Sequence, residues 1–407
     1  MRQTLWTKNF TIITLGTVIS AIGGVAMSFA LGFVVFDTTG STLATALFTA
    51  VSALPRVLLP VLLSPYLDNF RRKPVIVGLD YLLGAIYLLV GWYLAGHTFG
   101  LGLYTAISLV ANTIGAVYSL AYTSLYPNLI PQGFAQKGYT VSGMLYPTVT
   151  VVMTPVASVL YDQVGLWPIC VGEGILLLLA ATVETRIEVE ERTVKGGRFS
   201  FRDYLRDFRE GFAYLRKEPG LLRIYGYMPI TQGISEATEP LIRAWFRTAP
   251  GLDITMYAWF TTAQFVGRTI GGLVHYKFTI PPEKRFGLSN VVYVAYNLMD
   301  AVLLWLGFPL MLVNRGICGF LGINSATLRE SSVQNYLPDD MRAKINAVFN
   351  ALYALVPTLL TVAVGALGEV LDYRLCVTAA SLLGFFPWYL ILWRGRRDVA
   401  PIYNRPY

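Results

Sequence analysis

Long apolar runs separated by short polar breaks fill this sequence, and each is close to the ~20 residues with which a helix crosses lipid. Runs near 10–36, 42–66, 75–96, 100–125, 140–161 and 166–183 make one set of six, and runs near 221–247, 252–276, 287–306, 308–331, 342–367 and 373–393 make another. The pattern predicts an all-α membrane protein of twelve transmembrane helices. Two six-helix bundles, 1–183 and 221–407, are joined by a connector at 184–220. Inside the connector Phe201, Tyr204, Leu205, Phe208, Phe212 and Leu215 recur at three- and four-residue steps, with Arg202, Arg206 and Arg209 between them. This spacing predicts an amphipathic helix, expected to lie on the inner membrane surface with its arginines among anionic headgroups.

Charge orients the runs. Arg71, Arg72, Lys73, Lys137, the connector, Lys277, Lys284, Arg285, Arg342, Lys344, Arg394, Arg396 and Arg397 fall in alternate breaks, whereas the other breaks hold chiefly Arg243, Arg247 and Arg374. By the positive-inside rule both termini face the cytosol of a multi-pass protein in the inner cell membrane. The first span is too long for a cleaved signal and doubles as the insertion signal.

Composition agrees with this placement. Hydrophobic residues make up 55% and charged residues 14%, against roughly 25% charged in soluble domains. The net charge of +8 is spread over short loops without a basic, aromatic-laced patch, which argues against nucleic acid as a partner. Cys170, Cys318 and Cys376 stand singly in apolar runs, and His97 and His275 are far apart, so neither a disulfide framework nor a metal or cofactor site is expected. No phosphate-binding loop is present, so any work draws on a gradient or a partner. The absence of a nucleophile, metal or paired acid and base near the interface predicts that the chain is not an enzyme.

The two sets of runs repeat each other. Asn128-Leu-Ile-Pro131, Lys137, Val141 and Tyr146 recur as Asn335-Tyr-Leu-Pro338, Lys344, Val348 and Tyr353, and Arg56 and Arg72-Lys73 have counterparts in Arg268 and Lys284-Arg285. A duplicated six-span unit of this kind surrounds a midplane site that opens to alternate sides.

The loop Ser64-Pro-Tyr-Leu-Asp68-Asn69-Phe70-Arg71-Arg72-Lys73 resembles the signature loop of the major facilitator superfamily, with Ser64 in place of the Gly and Asn69 in place of an Arg. By that resemblance Asp68, Arg72 and Lys73 form a conformational latch. Residues Asp207 to Leu221, Ala111-Asn112-Thr-Ile-Gly115 and Leu129-Ile-Pro131 resemble the macrolide-efflux-type and siderophore-exporter branch. That branch implies a proton-driven antiporter exporting amphipathic small molecules, with Asn112 standing where such exporters often carry Arg. The partners implied are an amphipathic substrate, protons and the lipid bilayer, and a monomer is expected. The fifth span's Gly143, Pro147, Thr154, Pro155, Ala157 and Ser158 are compatible with an antiporter's bent helix.

Ionisable groups within spans are costly and therefore mark candidate sites. Glu236 and Glu239 face nearly the same way in the seventh span. They either exchange a proton or bind a cationic substrate, unless Arg243 simply neutralises Glu239. Arg56 and Arg268 either bind anionic groups or pair with carboxylates. Asp300 and Arg315 read as a buried pair or as separate charges, and Asp80 and Glu173, in peripheral spans, read as structural. The resemblance draws the cavity wall from the first, fourth, seventh and tenth spans. These supply Ser20, Ser28, Asn112, Tyr118, Tyr122, Gln232, Glu236, Asn324 and Ser325, with Trp259 and Gln264 from the eighth. A proton-coupled uptake permease, and a receptor or scaffold on the same fold, are the alternatives.

Overall fold

Thr7 starts the first helix by accepting the Phe10 N–H on its hydroxyl at 3.3 Å, and Gly40, at φ 65°, ends it by donating to Phe36 O. Polar caps at Ser200, Asp253 and Asp372 start later helices in the same way. The computed structural model describes residues 4–67, 70–97, 100–132, 134–189, 200–278 and 280–405, and among these no strand occurs.

The first six helices are α1 (Lys8–Thr39), α2 (Thr42–Leu67), α3 (Arg72–Leu94), α4 (Leu101–Leu129), α5 (Ala135–Val164) and α6 (Leu166–Glu184). The connector supplies α7 (Phe201–Lys217). There follow α8 (Pro219–Thr248), α9 (Ile254–Lys277), α10 (Pro282–Val302), α11 (Phe308–Tyr336), α12 (Asp339–Leu367) and α13 (Tyr373–Leu383). The last span continues through the short α14 (Phe385–Pro387) and a π-helical stretch, Trp388–Trp393, and α15 (Arg396–Tyr403) completes the chain. Nine helical spans among the described residues are long and apolar enough to cross a membrane. The helices α8, α9 and α11 match them in length, at 30, 24 and 29 residues, but carry polar groups such as Glu236, Arg268 and Arg329.

The chain divides into two compact units, Met1–Gly40 with Val51–Phe199 and Ser41–Ala50 with Ser200–Tyr407. In the first, α6 packs along both α1 and α3. Gly84 and Gly174 set the second of these crossings: a Cβ on Gly84 would sit 3.0 Å from Gly174 O. A core of Phe10, Ile13, Ile76, Leu125, Leu129 and Ile187 closes the end near the connector. There Asn9 and the Glu188 backbone exchange two hydrogen bonds, at 2.7 and 3.0 Å.

In the second unit α9 packs on α11, α8 on α12 and α10 on α13. The amphipathic helix expected in the connector is α7, and it docks on α12. Gly211 lies so close that a Cβ would stand 2.6 Å from Lys344 O, and Lys344 pairs with Glu210 and Asp207. Its stripe divides accordingly. Leu215, Phe208 and Tyr214 join the second unit's core, while Phe201 and Phe212 stay exposed. Burial against other helices removes these rings from water without requiring lipid. Repeated residues fall on corresponding elements: Asn128–Pro131 and Asn335–Pro338 end α4 and α11, and Arg72 and Lys284 begin α3 and α10.

Candidate functional site

One face of α8 carries most of the site. Tyr225, Met228, Gln232, Glu236 and Glu239 recur every three or four positions and so share a stripe. Near the connector this stripe meets α11 and α12 around a cavity of about 190 Å³. Arg329, Glu330 and Gln334 enter it from α11, and Asn346, Phe349 and Asn350 from α12. Tyr225 Oη donates to Asn346 Oδ1 at 3.2 Å, and Gln334 Nε2 donates to the same oxygen at 3.3 Å. The Phe349 ring meets Tyr225 edge-on, with centroids 4.6 Å apart. A guanidinium, a carboxylate, amides and two rings thus converge on one hollow, a set able to orient a ligand carrying both charge and an apolar part.

Farther along α8, Glu236 is exposed and accepts from Gln232 Nε2 at 2.8 Å. On α12, Tyr353 lies within electrostatic reach of Arg329, Glu236, Glu330 and Arg268. In the first unit Arg56 acts on Tyr146 in the same manner. Because Arg56 matches Arg268 and Tyr146 matches Tyr353 in the repeat, each unit contains the same Arg–Tyr neighbourhood.

Glu239 has different surroundings. Its Oε1 accepts from Arg243 Nε at 3.1 Å and from the Tyr257 hydroxyl, which ties α8 to α9. Asn112 is turned onto its own helix, donating to Ser108 O at 2.8 Å and to Ser108 Oγ at 3.2 Å. Ser108 Oγ donates in turn to Ser52 Oγ at 2.8 Å, joining α4 to α2. Asn324 donates to Phe320 O at 2.7 Å, and its Oδ1 lies 3.2 Å from His275 Nδ1. Asp68 lies outside the described residues. Arg72 opens α3, and Lys73 Nζ donates to Thr185 O at 2.8 Å, holding α3 to the end of α6. Asp300 and Arg315 form a buried ion pair, with the guanidinium also 5.2 Å from the Phe260 ring centroid.

Arg329, Glu330, Gln334, Asn346 and Asn350 of this hollow are not among the candidates that the sequence pattern singles out. Their signal was present, since Arg329 and Glu330 interrupt the apolar run 308–331, but it resembled a span end. Glu184, the first residue of the expected connector, is completely buried at the last turn of α6.

No known family profile matches the sequence, and no curated protein matches it. Solved structures do. The nucleoside transporter NupG superposes with a TM-score of 0.72 at 12% identity, covering 95% of this chain and 98% of that one. A POT family transporter in complex with a thioalcohol-conjugated peptide gives 0.71 at 9% identity, covering 96% of each. A bacterial homologue of the iron transporter ferroportin, in an inward-facing state, gives 0.60 at 17% identity over 95% and 98%. The chain is a multi-pass helical membrane protein with the fold of transporters of the major facilitator type.

Proposed function

We propose that this protein is a secondary active transporter that exports amphipathic small molecules in exchange for protons, by alternating access. The pocket joining α8, α11 and α12 carries the reading, because it places Arg329, Glu330 and three amides beside aromatic rings inside a helical membrane fold. Its volume, about 190 Å³, is below the roughly 300 Å³ at which drug-sized sites begin. It therefore takes the polar head of the cargo, with the apolar remainder outside.

Glu236 forms no ion pair among the described residues and serves as a proton acceptor, while Glu239, held by Arg243 and Tyr257, positions α8. Gln232, Arg268 and Asn324 contribute to substrate binding in the second unit, and Arg56 and Asn112 do so in the first. Asp68, Arg72 and Lys73 act as the conformational latch, and the protein works as a monomer with both termini in the cytosol. The small pocket favours one second reading, proton-coupled uptake of a compact metabolite, and NupG, a nucleoside transporter, shares the fold.

Purified protein in proteoliposomes with an imposed pH gradient separates these. Export predicts that inward protons accelerate loss of a fluorescent amphiphile. Gradient-driven accumulation of a small metabolite would favour uptake, and flux indifferent to the gradient overturns proton coupling.

A further inference from the structure

The first unit buries three carboxyl groups that the pocket does not use. Glu173 and Glu184 lie on one stripe of α6, at 5% and 0% exposure, and Asp80 faces them from α3 at 5%. None forms an ion pair among the described residues. One oxygen of each, Glu173 Oε2, Glu184 Oε2 and Asp80 Oδ2, has no hydrogen-bond partner. Two features show that the α6 carboxyls are built in. Helix α1 presents glycine to each: a Cβ on Gly23 would overlap Glu173 Oε2, and one on Gly16 would stand 2.5 Å from Glu184 Oε1. Tyr118 of α4 then donates to Glu184 Oε1 at 3.5 Å, leaving Oε2 as the open oxygen.

Among the described residues, the groups that act on the two glutamates are a carboxyl and a phenol, neither of which supplies a counter-charge. Tyr87 of α3 and Tyr146 of α5 lie within reach of Glu173, as does Cys170 on α6 itself. Tyr118 and Tyr122 of α4 lie within reach of Glu184, and Asp80 acts on both glutamates. On α1 the facing polar groups are hydroxyls, among them Thr17, which bonds Tyr122 at 3.2 Å. Two cations among the described residues border this network: Arg56, exposed, which acts on Tyr146, and Lys73 of α3, whose Nζ donates to Thr185 O at 2.8 Å, one residue beyond Glu184. An ionised carboxylate buried without a counter-charge carries a large desolvation penalty. Holding a proton on the open oxygen removes the charge.

We propose that Glu173 and Glu184, seated against Gly23 and Gly16 on the α1–α6 seam, are proton-binding sites of the first unit. The ligand is the proton itself. Each carboxyl gains one on Oε2 and returns it when α1 and α6 separate enough to admit water. Tyr118 is a positioning residue that fixes Glu184 Oε1 and leaves Oε2 to titrate. The site is independent of the α8 pocket and of any cargo, so its test needs no transport.

Infrared spectroscopy of the purified protein in lipid at neutral pH reads protonated carboxyls directly. The expected result is a carboxyl C=O stretch that shifts in heavy water. Glu173→Gln and Glu184→Gln should each lose one component of it, because the amide cannot carry that proton. Gly23→Ala keeps both acids but presses on Glu173, and should shift the Glu173 component alone. Tyr118→Phe should shift the Glu184 component and leave that of Glu173 in place. A wild-type protein without the band, or a spectrum unchanged in both glutamine variants, overturns the proposal. Asp80→Asn removes the third buried carboxyl from the band, and a wild type without the band overturns the proposal even where a variant does not fold.

Discussion

Glu236 and Glu239 stand three residues apart on α8, yet one accepts from an amide and the other is clamped by a guanidinium and a phenol. Glu236→Gln is therefore expected to abolish the pH dependence of flux while sparing ligand binding, measured in proteoliposomes with and without a gradient. Unchanged coupling would remove Glu236 from the site. Arg315 is 6% exposed in the side chain and Asp300 14%. Asp300→Asn leaves that guanidinium uncompensated and should destabilise the protein by roughly 3–5 kcal/mol, seen as a lower Tm. Arg315→Met with Asp300→Leu should recover most of the loss.

Glu369, just beyond α12, accepts the Leu43 N–H at 2.8 Å and the hydroxyls of Ser41 and Thr42 at 2.8 and 3.1 Å. These donors, the backbone N–H foremost, hold its carboxyl below the usual range. A depressed value places the stabilisation above the unfolded value, roughly 4.3, and removes it as pH falls through the folded one. Glu369→Gln should lower stability at neutral pH by roughly 1 kcal/mol, allowing for solvent screening, with the difference from wild type vanishing in acid. Melting curves across pH check the sign.

At the scale of elements, close crossings depend on single glycines. A Cβ on Gly267 would overlap Gly316 O, and one on Gly319 would overlap Gln264 O, so α9 and α11 touch backbone to backbone. Gly267→Leu must force this crossing apart and should cost about 1–3 kcal/mol or more, as overpacking does, measured by thermal melting. Gly211→Val should likewise lift α7 from α12, and faster hydrogen exchange across Phe201–Lys217 would report it. Neither glycine is distinguishable in sequence from those facing open space, such as Gly78 or Gly102. The helices themselves were legible: eleven anticipated spans coincide with long helices to within about five residues, and the twelfth with the broken run Tyr373–Trp393, because apolar length dominates that signal. The docking of α7 was not, since an amphipathic stripe has the same pattern whether it meets lipid or another helix.

For the whole molecule, the duplicated sequence and the transporter fold agree. Residues matched by the repeat, Arg56 with Tyr146 and Arg268 with Tyr353, lie within electrostatic reach of each other in each unit although each pair is distant in sequence. Transport driven by a pH gradient is the property to measure at this scale, and the latch residues belong to it. Arg72→Ala with Lys73→Ala should slow turnover without altering ligand preference, read from flux rates over a panel of fluorescent amphiphiles.

The sequence by itself determined the class, the spans and the repeat, because transfer of a helix into lipid depends on local composition and length. It also marked Glu236, Glu239, Arg56 and Arg268, since charge within an apolar run is visible without coordinates. Only the tertiary structure decided which charges are neutralised. Glu239 and Asp300 meet arginines, whereas Glu173 and Glu184 meet glycine and tyrosine. Arg243 lies one turn from Glu239 on α8, but Tyr257, Arg315, Tyr118 and the α1 glycines come from other helices, at distances along the chain that no local pattern encodes.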